Sequence, residues 1–181
     1  MCGNFRNNIL IMKVNEMAVM QQQKRLMTAE EFAAPGMPEK FVELIDGELI
    51  EISPAGPYHN LIALEFAVLF RAFCKTQKNL FYGGDNDGFV VTRNPDSIAS
   101  PDASLFRRRD RGKGPWMPFA PEVVVEVLSP SNSGPEMVYR RKRYFDAGTE
   151  QFWLVIPEER KILFHFRDGR VIIASGDEVI T

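Results

Sequence analysis

Residues 123–128 read Val-Val-Val-Glu-Val-Leu. Branching at Cβ stiffens these side chains and favours extended backbone, so the run is the most strand-prone of the chain. Successive side chains of a strand point to opposite faces, which puts 124, 126 and 128 on one face and 123, 125 and 127 on the other. A strand apolar on both faces must be covered on both, which predicts a central strand of a layered domain. Ser129-Pro130-Ser131 ends it. The one exception to its apolarity is Glu126. An ionised carboxylate there costs several kcal/mol unless a cation, a hydrogen-bond network or a metal compensates it. An ion pair with an arginine of the following segment is the plain structural alternative, and residue 126 alone does not decide between the two.

The rest of the chain supplies the covering layers. Thr28 and Glu31 are spaced as a capping box and open a short helix that Pro35-Gly36 must stop. Residues 41–45 and 48–52 alternate on either side of Asp46-Gly47, a hairpin signature. Leu61, Leu64, Glu65, Val68, Leu69, Ala72 and Phe73 recur at steps of three and four, predicting a long amphipathic helix over 58–75 with that stripe against the core. Glu65, within the stripe, reads as a solvated flank. Short strands are expected at 89–91 and 103–106, and a further buried strand at 152–156. A helix is expected over 135–147, stopped by Gly148. A last hairpin spans 162–166 and 171–174 across Asp168-Gly169. This order predicts an α/β (α+β) fold, a mixed central β-sheet flanked by helices with N-terminal and C-terminal β-hairpins.

Length fits one domain, residues 25–181, preceded by a loose extension over residues 1–24. The apolar patch at 9–12 is too short for a signal-peptide core or a bilayer span. The two cysteines, Cys2 and Cys74, form no framework, which fits a reducing, cytoplasmic setting. With only two histidines, His59 and His165, a His-rich zinc site is not expected. A net charge of −2 means that nucleic-acid binding would need basic residues concentrated locally. Arg107, Arg108, Arg109, Arg111 and Lys113 are such a concentration, readable as a backbone-contacting loop or as a solvated one.

Asp102 follows Pro101 at the entrance to the strand expected at 103–106. Alone it is an ordinary turn acid. A strand-entrance Asp and a mid-strand Glu can instead converge on one hard cation, Mg²⁺ or Mn²⁺. Glu43 and His59 are possible outer members, readable otherwise as an exposed strand acid and a capping histidine. On the helix after the central strand, Met137, Val138, Tyr144 and Phe145 mark an apolar stripe centred on Arg141, with Arg140 and Lys142 on its flanks. A solvated position fits Arg143 best. An inward cation there could balance Glu126 or bind a phosphate.

Taken together, Glu43-Leu44-Ile45-Asp46-Gly47-Glu48, Ser53-Pro54 with His59, Ser100-Pro101-Asp102, the run from Pro121 to Ser131, residues 144–148 and Trp153-Leu154-Val155 resemble a known set. They are similar to the bacterial family of putative restriction endonucleases, formerly a domain of unknown function, within the PD-(D/E)XK nuclease superfamily. The resemblance covers roughly residues 26 to 170. It implies a restriction-endonuclease-like fold, Asp102 and Glu126 as metal-binding acids, Mg²⁺ (or Mn²⁺) as cofactor, DNA as the nucleic acid cut, and a homodimer. The parent fold carries a lysine two residues after the second acid, where this chain has Leu128. Family members usually take that lysine from the next helix, four residues before the position of Tyr144, and here that residue is Arg140. Either arginine replaces the lysine or Lys142 supplies it. A catalytically impaired module that binds nucleic acid or a protein partner without cutting is the alternative reading.

Overall fold

A computed structural model describes residues 25–38, 42–54, 56–109, 112–130 and 132–176. The expected extension over 1–24 and Phe41 of the first hairpin lie outside them. Helix α1 (Ala29–Phe32) begins with the expected capping box between Thr28 and Glu31. Strands β1 (Val42–Ile45) and β2 (Glu48–Glu51) form the expected hairpin. Asp46 and Gly47 both take positive φ, 50° and 76°, as a tight turn matched to strand twist requires. Helix α2 (Pro57–Thr76) follows, then β3 (Leu80–Gly84), β4 (Phe89–Thr92), β5 (Ser97–Ala99), β6 (Ala103–Arg107) and β7 (Val123–Val127). Helix α3 (Gly134–Ala147) leads into β8 (Gln151–Ile156), β9 (Lys161–Phe166) and β10 (Val171–Ser175). Gly148, at φ 110°, ends α3 in the left-handed conformation that glycine takes most cheaply.

Two sheets result. The larger has the order β10-β9-β8-β7-β6-β3, with β7 and β8 parallel and every other pair antiparallel. The smaller has the order β2-β1-β5-β4. The parallel pair needs a crossover, and α3 provides it. As the residue pattern requires, β7 lies inside the large sheet with four of its five residues buried. Alternation sends Val125 and Val127 to one face, packed with Ala103, Leu105, Val155, Ala63 and Phe70 under α2. It sends Val124 to the other face, with Phe106, Phe152, Tyr144 of α3, and Phe89 and Val91 of the small sheet. Leu44 and Ile98, on the far side of the small sheet, pack against Ala29 and Phe32.

The face of α2 differs from expectation. Ala63 and Phe70 are buried, with Ile62, Phe66 and Cys74 against the sheet, and Phe70 meets Trp153 edge-on at 5.5 Å. Leu61, Leu64, Val68, Leu69 and Phe73 are each about half exposed or more. Apolar residues surround this helix, so steps of three and four can be drawn through either side. The bulky aromatics that stack on Trp153 decide the phase. Glu65 is exposed, as a solvated flank should be. Strands β3 and β5 had no counterpart in the sequence reading.

Candidate functional site

The acids are brought together by sheet register. Ala103 pairs with Val125 across the antiparallel β6–β7 ladder, so the next step along sets Asp102 opposite Glu126. Directly opposed residues share a face of the sheet. The backbone N–H of Val127 donates to Asp102 Oδ2 at 2.6 Å, fixing the carboxylate where the strand begins. His59, in the first turn of α2, places Nε2 3.2 Å from the same oxygen. That hydrogen bond, opposed by burial and reinforced by the Asp102 charge, raises the His59 pKa above its ordinary value.

Glu126 is buried. The Tyr144 hydroxyl donates to its Oε1 at 3.3 Å, and Arg140 Nη1 stands 3.9 Å from that oxygen. The guanidinium is shared more closely with Glu43, where Nη2 to Oε2 is 2.7 Å, and Nε reaches Glu136 at 3.4 Å. Burial pushes the Glu126 carboxyl up to about 8. Arg140 works against that push, while the charges of Asp102 and Glu43 add to it. Arg140 itself is raised: Glu126 and Glu43 outweigh the opposing burial. Three carboxylates therefore converge around one guanidinium in a cavity of about 750 Å³ that opens between the large sheet, α3 and the β1–β2 hairpin.

Of the expected outer members, Glu43 and His59 both line this cavity. Arg140 and Arg143, not Arg141, are the cations of α3 that line it. The cavity side of α3 carries Glu136, Tyr139, Arg140, Arg143 and Tyr144, beside the apolar stripe, of which Met137, Tyr144 and Phe145 pack on the core as expected. Val138, counted there as apolar core, is exposed. Arg141 turns to the buried His165, Nη1 to Nδ1 2.9 Å, beneath β9. Lys142 is exposed and paired with Asp146 at 2.5 Å, away from the acids. Arg143, expected in solvent, has its side chain mostly buried, held by Asp46 at 3.2 Å and by the Thr92 hydroxyl at 2.8 Å.

The basic loop is not brought to the acids. Arg107 ends β6, and Asp102 immediately precedes it, so a strand length of about 15 Å separates them. Arg107 and Arg109 both bond the buried Glu122, and Arg107 also pairs with Glu150 at 3.0 Å. Arg108 lies over the Phe81 ring and Lys113 is exposed. Arg111 is outside the described residues. Several cavity residues are not marked as such in the sequence, among them Asp85, Glu136, Tyr139, and Tyr144 as a hydrogen-bond donor. Desolvation and the charge of Asp102 hold the Asp85 carboxyl above the usual range. Its signal was Gly83-Gly84-Asp85, acid after a pair of glycines at a strand end.

Among the described residues no group of three or more His, Cys, Asp or Glu closes a metal site by itself. The donor chemistry nevertheless fits a hard divalent cation. Two oxygen donors face each other across one ladder, and burial holds the Glu126 carboxyl protonated near neutrality despite Arg140 beside it. Mg²⁺ commonly takes only one or two carboxylates and fills its other positions with water and substrate phosphate.

The sequence model of the Uma2 family, described as "Putative restriction endonuclease", matches residues 29–180. No curated protein matches the chain. Among solved structures, the crystal structure of a nuclease described as putative, belonging to DUF820 from Anabaena variabilis ATCC 29413, superposes with a TM-score of 0.71. The two share 20% sequence identity over 86% of this chain and 88% of that one, a likeness of fold. None of the described helices is long and apolar enough to cross a membrane.

Proposed function

Because the chain belongs to the Uma2 family of putative restriction endonucleases, we propose that it is a divalent-metal-dependent endonuclease hydrolysing phosphodiester bonds in DNA. The observation that carries this reading is the register-opposed pair Asp102 and Glu126, the latter buried and held protonated by that burial. These two would hold Mg²⁺ or Mn²⁺. Such an ion, when bound, polarises a phosphate and lowers the pKa of a coordinated water. The chain's own groups do the rest. His59 and the Val127 N–H orient Asp102. Tyr144 orients Glu126. Arg140 stays protonated, so it can steady charge on a phosphate oxygen but cannot take a proton from water.

That last point supports a second reading, a nuclease-fold module that binds nucleic acid without cutting it. Arg140 occupies the lysine's place and is engaged by Glu43 and Glu136, while Lys142 lies outside the cavity. The proposal extends to a homodimer paired along β10, an edge strand with Val171, Ile172 and Ile173 exposed and no lysine or proline to blunt it. It extends also to a cytoplasmic setting, on the cysteine pattern.

Mn²⁺ titration by calorimetry, beside a plasmid-nicking assay, tests the core of this. Asp102→Asn and Glu126→Gln should each abolish Mn²⁺ binding and nicking. Unchanged Mn²⁺ affinity in both variants removes the metal site, and metal-indifferent DNA binding without nicking selects the second reading.

A further inference from the structure

The cavity that holds the acids has a second wall that hydrolysis does not use. Ile50 pairs with Glu43 directly across the β1–β2 ladder, so the two project to the same face. Glu43 reaches Arg140 inside the cavity, and Ile50 therefore faces the cavity too. Ile52, two residues on, also lines it. Ile50 is 41% exposed and Ile52 38%. Tyr139 completes this wall at 44% exposed, its hydroxyl bonded to Asp46. One side of its ring is backed by the Arg143 guanidinium, 5.2 Å from the centroid.

Cutting a phosphodiester calls for acids, a cation and water, and none of these gains from two isoleucines and a tyrosine kept partly in solvent. A paired duplex offers that wall little, because its bases are stacked inside and it presents phosphates, sugars and groove edges. An unstacked nucleotide presents an apolar π-face within one sugar of its phosphate, and aromatic and aliphatic side chains recognise such faces whatever the base. A cavity of about 750 Å³ is within the range that encloses small ligands. We propose that the Ile50–Ile52–Tyr139 wall receives the base of an unpaired nucleotide whose phosphate lies toward Asp102 and Glu126. The favoured substrate is then single-stranded nucleic acid, or a duplex at an extruded base. Arg143 behind Tyr139 strengthens the platform, since a guanidinium on one face leaves the other for the base. This inference rests on reading the cavity as a nuclease site.

Fluorescence anisotropy in chelator tests it with short labelled oligonucleotides: a single strand, its perfect duplex, a duplex carrying a single-nucleotide bulge, and a strand of the same length that is abasic throughout. Cleavage of the same set is followed in Mn²⁺. The single strand should bind about tenfold or more tightly than either the perfect duplex or the abasic strand. The bulged duplex tells the two sources apart, following the single strand if extruded bases are accepted. Tyr139→Ala and Ile50→Ser should each cost about tenfold on the single strand and nothing on the abasic one, and Tyr139→Phe should bind as the unmodified protein does. Equal binding of intact and abasic strands overturns the proposal, and this comparison needs no variant to fold. A Tyr139→Phe loss as large as that of Tyr139→Ala also overturns it, by assigning the effect to the Asp46 bond. Metal-dependent cutting of perfect duplex as fast as single strand removes the inference and keeps the nuclease. Base-dependent binding with no cleavage of any substrate keeps the base site and removes the nuclease.

Discussion

Glu126 offers a measurement that needs no substrate. In the folded protein its carboxyl keeps its proton up to about 8, against an ordinary value of 4.5. Between these values the folded chain holds a proton that the unfolded chain has released. Stability from this group is therefore full below pH 4.5 and falls as pH rises through the window. The slope is about 1.4 kcal/mol per pH unit, and the loss across the window is on the order of 5 kcal/mol. Glu126→Gln removes the titration while keeping the shape of the protonated acid. Urea denaturation in chelator, from pH 5 to pH 8, should give nearly equal stabilities at the acid end. The variant should pull ahead steadily toward pH 8, by several kcal/mol. Parallel curves for the two proteins would refute the reasoning. So would a wild type that gains on the variant as pH rises, because Arg140 would then be holding an ionised Glu126. The same proton must leave when a cation binds, so Mn²⁺ affinity should climb with pH in this range and level off above about 8.

Three further outcomes follow from the packing. Arg140→Lys should raise the cleavage rate and Lys142→Ala should leave it unchanged, since residue 140 reaches Glu43 and Glu126 while Lys142 pairs with Asp146 away from them; a rate that collapses in Lys142→Ala reverses the assignment. Glu122→Ala strips the Arg107 N–H and two guanidinium groups of their buried acceptor and should cost about 1–3 kcal/mol in thermal denaturation, whereas an unchanged melting point would mean that water replaces it. Ile173→Lys on the edge strand β10 should turn a dimer into a monomer in light scattering at micromolar concentration; a dimer that survives the lysine is joined elsewhere.

Some of this arrangement is written locally in the chain and some is not. The β1–β2 hairpin is legible because Asp46-Gly47 can adopt two successive positive φ angles and the flanks alternate. β7 is legible because its branched residues suit burial on both faces. β3 hides because its last two residues are Gly83 and Gly84, and β5 because three residues, Ser97 to Ala99, cannot display a period. The phase of a helix is harder still. For α2 the period was right and the rotation wrong, whereas on α3 Met137, Tyr144 and Phe145 meet the core as expected and Arg140, on the flank of that stripe, faces the cavity. The acids could be picked out singly by their cost in an apolar strand. Their convergence with Glu43 and His59 depends on contacts between segments up to 83 residues apart, Glu43 to Glu126, which no local pattern encodes.

The ladder between β6 and β7 fixes Asp102 opposite Glu126 whatever the chain does between Arg107 and Val123. That connection could gain or lose residues and the acids would keep their separation, because strand pairing measures it. Arg140 answers to a different ruler. One residue inserted in α3 ahead of it would swing the guanidinium by about 100° and advance it about 1.5 Å, out of the cavity. The two halves of the site thus tolerate different genetic accidents. Length changes in the loop leave the acids opposed, while a single-codon insertion early in α3 disarms the site and turns the buried Tyr144 away with Arg140.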